Sequence, residues 1–469
     1  MIRIIGIDGL DTKIIERHFY VLPNFKKLSE AGVLNPIESV FPADSVPAWT
    51  TIFTGLNPAE HGIIRGKDYI ESVDSFEMQH GFKLQGKTFW DHLSDHGRRC
   101  LVINPFLAYP AWLVNGIMES GPAFIEGDHS IFPENTDSIH PEVLGGYSAI
   151  SNLAGLRAEI EKVFDDTEKL WKEYDYQSAK ENFDLEFVTF TTLDRLQHYT
   201  WRYYDARDPL HEHSDYFSEC IPGLLRAFDQ RIGSIIDKMK AEDILLLVSD
   251  HGFRQRPYKL INLNEFLRTK GLLTVKKEYD KPSVRHLQGL KKKVITLLSN
   301  LRMLDVFASR LKKVKSVSKL KKSDHLIDKE NSLCYTDNVF SGKKPYVGLN
   351  FGEKIKMADK KTRDKAFDRI ENAIQSGEIP RPVWIKKSED VYSGEFKSRL
   401  PDICIEFPSE YGVEFNYFGK IMEQSSTHYR ISGGHFGSGT FGYYSPNHSL
   451  ITPPAGIIDF SRFVKQIAL

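Results

Sequence analysis

The sequence predicts an α/β fold: a mostly parallel central sheet flanked by helices, with further segments inserted between its elements. Three observations carry this. Ile2–Ile7 (IRIIGI), Leu185–Phe190 (LEFVTF) and Ile244–Val248 (ILLLV) are short apolar runs, the pattern of strands buried on both faces of a parallel sheet. Helical patterns fall between them. Each run is followed within a few positions by an acidic residue: Asp8, Asp194 and Asp250. Open α/β sheets bind ligands just beyond the carboxyl ends of their strands, so three carboxylates stand at the edge where chemistry is done.

The remaining elements follow in order. A helix is expected over 22–31, stopped by Gly32. Residues 41–55, FPADSVPAWTTIFTG, read as a turn running into a helix, with Ser45 as N-cap and Pro47 in the first turn. The amides of such a helix start favour an anion. A strand is expected over 99–104. Residues 105–145, rich in Pro, Gly and aromatics, read as long loops over the sheet edge, 156–180 as an exposed charged helix, and 217–240 as a long helix. Residues 276–325 hold 15 Lys/Arg against four Asp/Glu, with apolar residues at helical spacing. They read as an inserted basic amphipathic helix or helix pair, either a lid over an anionic substrate or a contact with anionic lipid. Strands follow over 345–351, 383–387 and 402–407, with a helix over 361–376. In SGGHFGSGTFGYYSP (432–446) the glycines permit tight turns around His435, ahead of a strand over 440–444. The tail, 457–469, is helical. The expected organisation is a catalytic α/β domain over 1–270 and 326–469, with 105–180 partly forming a cap, and a basic helical insertion over 271–325.

Composition narrows the function. The chain has 469 residues, 41% hydrophobic and 27% charged, with a net charge of −1. That is a globular protein with no global bias towards nucleic acid. Its four cysteines are widely separated, which points to a reducing compartment rather than a disulfide framework. Met1 runs straight into a strand, and no apolar stretch approaches the ~18 residues needed to span a bilayer. The expectation is a cytoplasmic protein, with at most weak anionic membrane contact through 276–325.

The chemistry-bearing residues are Asp8, Ser45, Asp194, His198, Asp250, His251 and His435. Asp194 and His198 are four apart, so they share one face of the helix that follows their strand. Asp250 and His251 are adjacent in a turn bounded by Gly252. Mixed carboxylates and imidazoles suit Zn or Mn. Two such ions, roughly 3.5–4 Å apart, clamp an in-line displacement at phosphorus. His61, His92 and His96 read as structural. His211 and His213 form an HxH pair in a polar loop far from any strand end and are set aside.

The order Asp8, PxxSxPxxxTxxTG around Ser45, DRLQH, SDHG and GGHFGSG resembles the alkaline phosphatase superfamily, closest to its type I phosphodiesterase/nucleotide pyrophosphatase branch and prokaryotic relatives. INLNEFLRTKGLL, SEDVYSG and PDICIEF extend the likeness over nearly the whole chain. The resemblance implies two divalent ions, zinc before manganese. Asp8, Ser45, Asp250 and His251 would hold one; Asp194, His198 and His435 would hold the other. It implies Ser45 as nucleophile, a covalent phospho-enzyme, and the Val46 amide as a donor to the phosphoryl oxygens. The substrate would be phosphorylated: nucleotide, sugar-linked or lipid-linked. A phosphomonoesterase, or a phosphotransferase or mutase, would use the same site; a ligand-binding pseudoenzyme is the reading from another class. Departures are visible. Many relatives carry Thr where Ser45 stands, and nucleotide pyrophosphatases carry Asn at the place of Ala48. Trp49 replaces the Arg of the sulfatase signature, which makes a sulfatase a minor reading. Asp44 adds a negative charge beside the nucleophile.

Overall fold

The computed structural model describes residues 1–65, 84–124, 127–145, 155–280, 326–337, 340, 342–447 and 451–469. The basic insertion expected over 276–325 lies outside the described residues from 281 onward. The chain divides into two compact units, Met1–Arg254 with Gly433–Leu469, and Gln255–Ser432. The domain expected over 1–270 and 326–469 draws on both.

The first unit is built on an eight-stranded sheet. Its strands are β1 (Ile2–Ile7), β2 (Val33–Glu38), β3 (Cys100–Ile103), β4 (Gly116–Ser120), β5 (Ser130–Phe132), β6 (Leu185–Phe190), β7 (Ile244–Val248) and β8 (Ser438–Tyr444). Their order across the sheet is β2-β8-β7-β1-β6-β3-β4-β5. The central run β7-β1-β6-β3-β4 is parallel, and antiparallel pairings close both edges. Ile2 is level with both Leu185 and Ile244, and Ile7 is level with Phe190. The three apolar runs are therefore neighbours that end at one height. That register turns three separate sequence signals into one site.

Two expectations for this unit are corrected. Residues 105–145 are not all loop, because β4 and β5 lie within them. β4 is wholly buried yet carries Glu119, a residue that hides a core strand from a hydrophobicity reading. Burial pushes the Glu119 carboxyl up to about 8, so it is protonated at neutral pH, and the cost of an ionised core carboxylate is avoided. The helix Leu156–Ser178 is not an exposed one, since ten of its residues are buried. Some of those are polar and hydrogen-bonded inside the protein, although Gln177 Oε1 has no partner among the described residues. Glu173 accepts from the amides of Ile139 (2.8 Å) and His140 (2.5 Å), and Gln177 donates to Glu173 at 2.7 Å. A polar inward face reads from sequence as a solvated one. The helix expected over 217–240 runs Cys220–Ile236, and the C-terminal helix Ile457–Ala468 packs on the helix Ser45–Thr54.

In the second unit, Cys334–Asp337, Tyr346–Phe351, Ile403–Glu406 and Trp384–Lys387 form, in that order, a four-stranded antiparallel sheet. The helix Lys360–Ile374 buries Ala366, Ile370 and Ile374 in a core shared with Leu349 and Ile403. Tyr411–Glu414, Lys259–Asn262 and Met422–Gln424 make a separate three-stranded sheet. Among the described residues, no helix is long and apolar enough to cross a membrane.

Candidate active site

Every residue of the helix Ser45–Thr54 is buried. Its N-cap is Asp44, not Ser45 as the sequence suggested: Asp44 has extended backbone (φ −143°, ψ 140°) and its carboxylate accepts from the Val46 amide at 3.5 Å. Asp and Ser are about equally good N-caps, and the assignment has a chemical consequence. A capping serine would commit its hydroxyl to a backbone amide. With Asp44 in that role, Ser45 Oγ instead lies 3.1 Å from His251 Nε2 and 3.4 Å from Asp8 Oδ1. The Val46 amide, which the resemblance assigned to the phosphoryl group, faces the Asp44 carboxylate in this structure.

Asp8 leaves the end of β1 fully buried. The Trp49 indole donates to its Oδ2 at 3.0 Å. Ser45 and Trp49 are four apart, so one helical face presents both to Asp8. Gly6 makes room for the indole, since a Cβ there would come within 2.8 Å of the ring. Asp250, past the end of β7, accepts from the Gly9 amide at 3.3 Å. Trp49→Phe keeps the packing and removes the donor. With Asp8 in the role of a metal ligand, turnover is expected to fall about 10- to 100-fold, the usual effect of losing a group that orients such a ligand. Steady-state kinetics at saturating metal checks this, and full retained activity contradicts it.

The three histidines share one arrangement. Nδ1 of His198 lies 3.0 Å from the Gly433 carbonyl, Nδ1 of His251 lies 3.2 Å from the Gly252 carbonyl, and Nδ1 of His435 lies 3.3 Å from the Ala43 carbonyl. A carbonyl oxygen only accepts, so these contacts assign the proton to Nδ1 and leave a lone pair on each Nε2. Those lone pairs converge. His198 Nε2 and His435 Nε2 are 3.1 Å apart and lie 3.3 and 3.2 Å from Asp194 Oδ1. His251 Nε2 lies 3.2 Å from Asp250 Oδ2 and 3.6 Å from Asp8 Oδ1. Both carboxylate oxygens of Asp194 and Oδ2 of Asp250 are buried and accept no hydrogen bond among the described residues.

Acceptors facing acceptors in a dry pocket repel, and a cation between them is the arrangement that removes the cost. The donor set therefore fits divalent metal. The candidate ligand atoms fall into two overlapping groups, Asp194 with His198 and His435, and Asp8 with Asp194 and His251; within each group they lie within 4.8 Å of one another. Asp194 belongs to both.

The titration behaviour has the same origin. Burial, reinforced by the charges of Asp250 and Asp194, pushes Asp8 well above the usual carboxylate range. Burial, and then Asp194, does the same to Asp250. Burial acts in the same direction on Asp194, but positive charge on His198 and His435, present only when their Nε2 atoms are protonated, outweighs it and holds that carboxyl well below its ordinary value; a metal cation held by the same three residues would supply that charge in place of the protons. Burial, with His435 beside it, keeps His251 neutral.

The seven residues singled out from the sequence thus meet in one place. His435 sits on a strand, Gly433–Phe436, rather than in a tight turn. That strand reaches the His198 helix because a Cβ on Gly433 would be 2.4 Å from the Gln197 carbonyl oxygen, so only glycine allows the approach. The other histidines lie elsewhere. His61 is buried, accepts from the Ile63 amide at 3.0 Å and is held neutral by burial, its pKa lowered to about 3. His211 faces the Arg202 carbonyl and His213 faces Asp215. Trp49 and the three backbone carbonyls were missed as supports. The Ser45–Trp49 spacing was a legible signal for the first; carbonyls carry no sequence signal.

Comparison with known proteins adds a family. Residues 3–429 match the family model for type I phosphodiesterase / nucleotide pyrophosphatase. Ectonucleotide pyrophosphatase/phosphodiesterase family member 1 of Rattus norvegicus is 24% identical over 271 residues, 56% of this chain and 25% of the relative. The Homo sapiens protein of the same name is 24% identical over 272 residues, 56% of this chain and 24% of the relative. The matched part spans about a quarter of the length of these relatives. Among solved structures, phosphonoacetate hydrolase from Sinorhizobium meliloti 1021, in complex with phosphonoacetate, superposes with a TM-score of 0.54 at 14% identity, covering 100% of this chain and 95% of that one. At that identity the likeness is one of fold.

Proposed function

The chain belongs to the type I phosphodiesterase / nucleotide pyrophosphatase family, a family of phosphoric ester hydrolases, and from that premise we propose that it is a metal-dependent phosphodiesterase or pyrophosphatase with Ser45 as nucleophile. The observation that carries this reading is the convergence of three imidazole lone pairs and unsatisfied carboxylate oxygens beside the Ser45 hydroxyl.

Asp194, His198 and His435 would hold one divalent ion, and Asp8, Ser45, Asp250 and His251 a second, with zinc the first candidate and manganese the next. Bound there, the metal supplies positive charge that lets a neighbouring hydroxyl ionise near neutral pH and offsets charge on the departing oxygen. Ser45 Oγ, having lost its proton, attacks phosphorus. The Oγ–P bond forms as the bond to the leaving oxygen breaks, giving a phosphoserine ester. Water then adds to that phosphorus, the Oγ–P bond breaks, and Ser45 is regenerated. Trp49 fixes Asp8 throughout, and the carbonyls of Gly433, Gly252 and Ala43 direct each ring proton to Nδ1, which leaves Nε2 as the nitrogen that would ligate metal. The first turn of the Ser45–Thr54 helix places its positive end at the attacking atom.

Ala48 leaves the nucleotide specificity open, so a sugar-linked or lipid-linked phosphate is an equal substrate class. Four free cysteines, all buried, favour the reducing, cytoplasmic compartment. The test is turnover of bis-p-nitrophenyl phosphate and p-nitrophenyl phosphate before and after stripping with chelator. The expected result is metal-dependent hydrolysis with preference for the diester. Preference for the monoester would make the protein a phosphomonoesterase, and no hydrolysis of either with metal restored would overturn the reading.

A further inference from the structure

Within the second unit lies a cavity of about 460 Å³, inside the size range of small-molecule sites. Phe351, Leu400 and Pro401, all buried, line it as an apolar floor. Its remaining wall is charged and unbalanced: five Lys/Arg face three Asp/Glu. Three of the cations are matched. Lys387 pairs with Asp364 at 2.5 Å, Lys397 with Glu389 at 3.3 Å and Lys356 with Asp402 at 3.5 Å. Lys360 and Arg363 have no carboxylate within ion-pair distance among the described residues. Arg363 donates through Nη1 to the Ala358 carbonyl at 2.5 Å, and its other guanidinium N–H groups have no acceptor there.

The placement of these two cations raises their cost. Both lie in the first turn of the 15-residue helix Lys360–Ile374, which has no acidic residue in that turn. Cations at the positive end of a helix are disfavoured; the carboxylates near them are the capping Asp359 and Asp364, and Asp364 is already ion-paired with Lys387. A bound dianion would satisfy the free guanidinium donors, the Lys360 ammonium and the helix end together.

We propose that this cavity is an accessory site for a small organic phosphate, with the phosphoryl group held by Lys360 and Arg363 and the apolar body resting on Phe351, Leu400 and Pro401. All of its wall residues belong to the second unit, whereas every candidate catalytic residue belongs to the first. The site therefore does not depend on the proposed mechanism.

Calorimetric titration of the full chain, stripped of metal with chelator, tests it with phenylphosphonate, which mimics an organic phosphate monoester and has no ester bond to hydrolyse. Phenylphosphonate is expected to bind without metal and more tightly than inorganic phosphate, because the floor is apolar. Combined Lys360→Gln and Arg363→Gln is expected to weaken it about tenfold or more, the scale of losing charge-assisted hydrogen bonds. Arg363→Lys should recover part of that loss, and Ser45→Ala should leave binding unchanged. Absence of metal-independent binding, or binding indifferent to the double substitution, would overturn the proposal. So would loss of binding in Ser45→Ala, which would place the ligand in the first unit.

Discussion

Ser45→Ala is expected to lower diester turnover by at least about 10³-fold, the scale on which removal of a covalent nucleophile is felt when the rest of a site survives. The residual rate reports what the other groups do without it. The substitution leaves the fold intact for a visible reason. Asp44, not Ser45, caps the helix, and Gly55 closes its C-terminal end in the left-handed conformation at φ 74°. Only the hydroxyl contacts to His251 and Asp8 are lost. Thermal stability should change by no more than about 1 kcal/mol, the net worth of a typical hydrogen bond. Steady-state kinetics with a melting curve separates the outcomes. A variant that melts normally and retains wild-type turnover removes Ser45 from the chemistry.

Asp194→Asn is the second substitution with a large expected effect, and it acts through metal. Asp194 is the one residue common to both groups of candidate ligands, whereas His198 belongs to one. The amide keeps the shape of the side chain, loses its charge and turns an acceptor into a donor aimed at lone pairs. Metal affinity and turnover are expected to fall about 10²-fold or more, beyond the effect of His198→Ala. The effect has a readout independent of activity. Metal present at about 1,000 times its dissociation constant stabilises a protein by roughly 4 kcal/mol. The melting temperature of the wild-type chain should therefore rise on adding zinc, and that of Asp194→Asn should rise far less. Equal rises in the two proteins would contradict the assignment.

The parts legible in the sequence share one property: their signal is local. β1, β6 and β7 are short runs made mostly of buried apolar residues, so five or six residues announce each, and the Asp that follows lies within four positions of the strand end. Asp194 and His198 are one helical turn apart. The parts that were not legible depend on partners far along the chain. Nothing near Glu119 reveals that β4 is buried, because its protonation is decided by the surrounding core. Asp44 and Ser45 are equal candidates for the cap until the backbone of each is known. Asp8 and Trp49 are 41 residues apart, and their hydrogen bond exists only because Gly6 admits the indole. The strands within 345–407 were visible as strands, but their membership in a separate antiparallel sheet follows from pairing, not from composition.

Asp44 now has a structural role as the cap of the Ser45–Thr54 helix, and its Oδ2 lies 3.9 Å from His435 Nδ1. It lies at the periphery of the ligand groups and does not join them. Trp49 likewise has a positive role. At the position where a sulfatase carries arginine, this chain uses an indole to hold Asp8.

The central claim is that Ser45 carries the phosphoryl group between two displacements. The stereochemical course at phosphorus tests it without requiring the intermediate to accumulate. Each in-line displacement inverts phosphorus, so transfer to Ser45 followed by transfer to water gives net retention. Hydrolysis of a phosphodiester chiral at phosphorus is the measurement. Retention is the result the account predicts, and net inversion, the outcome of direct attack by water, would contradict it.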